Sequence, residues 1–135
     1  MKKRKKEKAR VKFPLKIGRY QLGYRMVNLY ADTGSNGNFA LCKNNKEATI
    51  HVGFDAANEV DAFNVLCHET FELASADKDA TFRADGFMDF ASDSVWIICN
   101  HNQFTEIVAR AAYFIWVSYK DFRKTWRKIN GRKIR

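Results

Sequence analysis

Twelve consecutive residues, Phe63–Ala74 (FNVLCHETFELA), carry an imidazole and two carboxylates, His68, Glu69 and Glu72, inside a run that is otherwise largely apolar. The surrounding stretch from Ala56 to about Ala76 contains neither Gly nor Pro. Its apolar residues recur at helical spacing through Val60, Phe63, Leu66, Cys67, Phe71 and Ala74. The pattern predicts a helix packed within the fold, with Asp55 as a plausible N-cap. A buried carboxylate is costly unless it is paired or bound to a cation. Three polar groups in one such turn therefore call for a reason.

The helical pitch supplies one. His68 and Glu72 are four residues apart and leave the helix on one face, so both can reach a single ion. Glu69 is turned about 100° from His68 and would lie beside that ion. The layout is that of the HExxH metallopeptidase helix, whose Glu is the general base, with Glu72 standing where the second His would be. A His₂Glu zinc set needs one more imidazole. His101, three residues before Phe104 and seven before Val108, is the expected third ligand, and His51 the reserve.

The rest of the chain frames that helix. Arg19–Tyr30 alternates with period two and reads as a strand, and Asp32–Asn38 is dense in turn formers. Phe39–Cys42 and Ala48–Gly53 read as a strand pair turning through Lys43–Lys46, with Ile50 and Val52 on one face and Thr49 and His51 on the other. Asp77–Asp93 is irregular, with short strands expected near Thr81–Arg83 and Phe87–Phe90. Ser94–Cys99 reads as a buried strand. A second helix is expected from about His101 to Tyr119, opened by a capping box of Asn100 and Gln103, and the basic extension from Asp121 onward could continue it. Its core stripe is read as Phe104, Ile107, Val108, Ala111, Ala112, Ile115 and Trp116. The expected fold is α+β: one domain with a small antiparallel sheet packed on two central helices.

The pairing of VLCHETFELA with the later WIICNHNQFTEIVARAAYFI resembles small zincin-like proteins of bacteria and phages, an HExxE-variant metallopeptidase family. The resemblance covers roughly Arg19–Tyr119. It implies that His68, Glu72 and His101 hold a zinc ion and that Glu69 is the catalytic acid/base. Metal-assisted hydrolysis of a peptide or protein substrate would follow, the ion polarising the carbonyl and Glu69 moving the proton. Strand Ala48–Gly53 could hold the substrate by strand addition. Arg110, four residues after Glu106, is expected in a helix-face ion pair.

Charge suggests a different activity. The formal net charge is +9, yet seven Lys or Arg lie in residues 1–10 and seven more in residues 123–135. The domain is accordingly drawn over residues 14–120, with a basic tail at 1–13 and a basic extension at 121–135. Such ends could engage nucleic acid without any catalysis, with the metal structural or absent. Tyr113, Phe114, Trp116, Tyr119 and Trp126 could stack on bases, although most are expected in the core or capping it. A structural zinc set of Cys67, His68, Cys99 and His101 lacks the short-loop spacing such sites use. The aspartates between 77 and 93 do not follow the calcium-loop pattern and read as solvated loop charges. Three widely spaced cysteines argue against a disulfide framework, and no secretory leader or membrane span is evident, so a cytoplasmic location is expected.

Overall fold

A computed structural model describes residues 11–42, 46–83 and 95–131. The fold is α+β, with elements in the order β1 (Leu15–Leu22), β2 (Arg25–Asp32), β3 (Gly37–Leu41), β4 (Glu47–Gly53), α1 (Glu59–Ala76), β5 (Thr81–Arg83), β6 (Val95–Ile97) and α2 (His101–Asn130). Four strands form a sheet in the order β1-β2-β4-β3. The outer pairs are antiparallel, but β2 and β4 run parallel, so the sheet is mixed rather than purely antiparallel. β5 and β6 form a separate antiparallel pair. The second strand expected near 87–90 and the turn residues 43–45 lie outside the described residues.

The extended run expected over Arg19–Tyr30 is two strands. Gly23, at φ +61°, is the first residue of a two-residue turn that pairs Leu22 with Arg25. Glycine adopts that positive φ without steric cost, which allows a chain with unbroken alternation to reverse there.

Val27, Leu29 and Ala31 of β2 and Ala48, Ile50 and Val52 of β4 are fully buried on one face of the sheet. α1 buries Ala62, Leu66, Leu73 and Ala74 in the same core. Each of its two leucines contributes about 1.5–3 kcal/mol by leaving water. The N-cap is Asn58, whose side chain accepts the Asp61 N–H at 2.9 Å. Asp55, the expected cap, accepts the Gly34 N–H at 2.7 Å and ties the β2–β3 loop to the start of α1.

α2 opens with the expected Asn100–Gln103 capping box but runs far past Tyr119, to Asn130. The boundary drawn at residue 120 therefore falls within this helix. Its buried residues are Ile107, Ala111, Phe114, Ser118, Phe122, Trp126 and Asn130. Of the expected stripe, Phe104, Ala112 and Trp116 are exposed instead. The buried stripe becomes recognisable when the pattern is followed through the basic region, where Phe122 and Trp126 pack edge-on against Phe54 at 5.3 Å. Ile97 and Ile98, expected to be buried, are also exposed. No helix among the described residues is long and apolar enough to cross a membrane.

The first hairpin is joined to the end of α1 by a buried ion pair. Arg25 Nε donates to Asp77 Oδ1 at 2.5 Å, both side chains are almost fully covered, and the Arg25 guanidinium lies over the Tyr24 ring. Asp77 is thus a buried ion-pair partner rather than a solvated loop charge. Arg25→Met should cost about 3–5 kcal/mol in urea unfolding, because it leaves the buried Asp77 carboxylate without its ion-pair partner.

Candidate metal centre

α1 is not buried all round, as its sequence suggested. Leu66, Glu69, Thr70 and Leu73 face the core, whereas Asn64 and His68 face solvent. The pitch of the helix therefore gives the three polar residues different depths. Glu69 is only 6% exposed, the Glu72 side chain is 23% exposed and that of His68 is 66% exposed. His68 Nε2 stands 3.4 Å from Glu72 Oε1. One donor atom from each of His68, Glu69 and Glu72 falls within 4.8 Å of the others. It is the only cluster of three or more potential metal-ligating side chains among the described residues.

The electrostatics suit a cation. Burial pushes the Glu69 carboxyl above its usual range, the charge of Glu72 pushes it further, and His68 draws it back. A proton or positive ion beside this carboxylate relieves a cost that folding imposes. Imidazole and carboxylate oxygen are donors that divalent zinc accepts. The donor set thus fits a divalent ion, although it contains one imidazole and not two.

His101 is not part of this cluster. It is the first residue of α2 and is exposed, not directed toward α1 as expected. The first turns of α2 are held at the far end of α1, where Gln103 Nε2 donates to Lys78 O at 3.1 Å and Lys78 pairs with Glu106. Lys78 lies in the turn just past the end of α1, six residues after Glu72. Phe104 and Val108 would orient His101 inward only if Phe104 were buried, and it is exposed. Of the alternative set Cys67, His68, Cys99 and His101, whose spacing already argued against structural zinc, only His68 belongs to the cluster, and all three cysteines are free thiols. Glu106 and Arg110 do form the expected pair, at 3.9 Å.

The reserve ligand, His51, is engaged elsewhere. It lies on the sheet face opposite Ile50 and Val52, as its alternation predicted. Its Nδ1 is 2.9 Å from Asp32 Oδ2, and its ring stacks on Tyr30 at 4.9 Å. The Thr33 N–H, followed by His51, holds the Asp32 carboxyl below its usual range.

β4 is internal, paired on both sides, so it cannot accept an added strand. β3 is one of the two edge strands, and its first residue, Gly37, lies against the candidate site. A Cβ built on Gly37 would come 2.6 Å from Val65 Cγ1, 2.8 Å from the His51 carbonyl oxygen and 2.9 Å from Glu69 Cγ. Gly37 was read as part of a loop. Its only sequence signal is that it stands two residues before the apolar strand residues that begin at Phe39.

No protein-family model, curated protein or solved structure matches the chain.

Gly37→Ala tests the contact between β3 and α1. The His51 carbonyl is β4 backbone and cannot yield as the Val65 and Glu69 side chains could, so β3 must shift relative to β4 as well as to α1. The variant should lose about 1–3 kcal/mol in chemical denaturation.

Proposed function

We propose that this protein is a zinc-dependent hydrolase of zincin-like type acting on peptide bonds. The observation that carries the reading is the convergence of the His68, Glu69 and Glu72 donor atoms within 4.8 Å, with the central carboxylate buried and the flanking ligands accessible. In this reading His68 and Glu72 hold the ion, and water or substrate fills its remaining positions. A divalent ion bound there supplies Lewis acidity toward a carbonyl and toward water.

The chain's own residues account for the remaining chemistry. Glu69 has a carboxyl raised by burial, which suits a group that takes a proton from water and returns it to a leaving amine. It sits on the core side of α1, where Gly37 of β3 lies against its side chain. β3 is the sheet edge beside Glu69, and its outward backbone groups could pair with an extended peptide. The three free thiols fit a reducing compartment such as the cytoplasm.

Zinc-loaded full-length protein should cleave an unfolded protein substrate such as casein. Glu69→Gln should lower the turnover about 10²–10⁴-fold while keeping the bound zinc, because the base is lost and the ligands remain. Equal turnover in the variant, or no cleavage by the zinc-loaded wild type, would contradict the reading.

A further inference from the structure

The outward side of α2 changes character along its length. Ala109, Ala112, Tyr113, Trp116, Lys120, Lys124 and Arg127 follow one another at spacings of mostly three or four residues, and all seven are exposed. Trp116 is 76% exposed and Tyr113 47%. Their rings meet edge-to-face at 6.2 Å. The core takes Phe114, Phe122 and Trp126 from the opposite side of the same helix, so these two rings serve no packing role there. The basic residues then follow at intervals of about 5–6 Å along the axis.

We propose that this stripe is a docking surface for single-stranded nucleic acid. Bases stack on Trp116 and Tyr113, and phosphates lie along Lys120, Lys124 and Arg127. Charge complementarity names the occupant: residues 120–135 hold eight Lys or Arg against one acidic residue, Asp121. That carboxylate accepts the Tyr20 hydroxyl at 2.6 Å, and Glu106, at the other end of the stripe, is engaged by Lys78. Arg123 is drawn aside to Glu59 and Tyr119. Among the described residues, no ion-pair partner engages Lys120, Lys124 or Arg127.

Exposed rings beside a line of cations match the way proteins hold unpaired strands, where aromatic side chains stack on bases and a charged track follows the backbone. A duplex would meet the cations but keeps its bases stacked away from the rings. A membrane surface asks for a broad apolar face, whereas the neighbours of the two rings on this stripe are two alanines and then charges.

The test is a fluorescence-anisotropy titration of full-length protein with labelled oligo(dT), a duplex of equal phosphate number, and anionic phosphatidylserine vesicles. The stripe predicts tighter binding to oligo(dT) than to the duplex, and a flatter salt dependence for Lys120→Glu/Lys124→Glu. Trp116→Ala and Tyr113→Ala, both surface changes whose folding is checked by thermal melts, should each weaken oligo(dT) binding about tenfold. The proposal is overturned if both alanine variants bind oligo(dT) like the wild type, which would assign binding to the terminal charges alone. It is equally overturned if the duplex binds as tightly, or if only vesicles bind.

Discussion

The close approach of β3 to α1 at Gly37 is the constraint on which the candidate centre depends. Without a side chain at that position, the sheet edge comes within van der Waals distance of Val65 and of the aliphatic part of Glu69. This contact keeps Glu69 buried although it sits one residue from an exposed histidine. Burial in turn raises the proton affinity of its carboxyl. Local backbone geometry, a covered carboxylate and the two less buried side chains of His68 and Glu72 are therefore one arrangement.

The loop before β3 helps to hold that approach. Gly53 N–H donates to Asn36 O, Phe54 N–H to Asp32 O and Asp55 N–H to Gly34 O, all at 2.8–2.9 Å. These bonds join the end of β4 to the loop that leads into Gly37, so β3 enters the sheet from a fixed position. Asn130 Nδ2, from the last residue of α2, donates to the Phe54 carbonyl at 3.1 Å and locks the end of that helix to the same junction. The segment between β4 and α1 is thus held from both sides.

Much of this was legible in the sequence because short-range periodicity carries it. The α1 pattern, the facing of His51 and Ile50 on β4, and the Asn100–Gln103 cap all follow from spacing and local capping chemistry. What was not legible depends on long-range placement. The parallel pairing of β2 with β4 makes β3 an edge strand, and no local signal distinguishes that from a plain hairpin series. The phase of α2 was misjudged because Phe104 and Trp116 are apolar yet exposed, while Ser118 and Asn130 are polar yet buried. Hydropathy alone cannot tell an exposed ring from one packed in the core. The same error turned His101 toward a site from which the anchoring of α2 at Lys78 separates it.

Two surfaces with different chemistry result: a carboxylate–imidazole cluster on α1 and an aromatic–cationic stripe on α2. The metal centre is the claim from which the proposed hydrolase follows. Its most direct measurement is the zinc content of wild-type, His68→Ala and Glu72→Ala protein after equilibrium dialysis, by elemental analysis, with circular dichroism as the check on folding. His68 is exposed and Glu72 half-buried, so both variants should fold. The account predicts about one ion per wild-type chain and a marked loss in each variant, since each removes a first ligand of the ion. Equal zinc in all three, or none in the wild type, would contradict it.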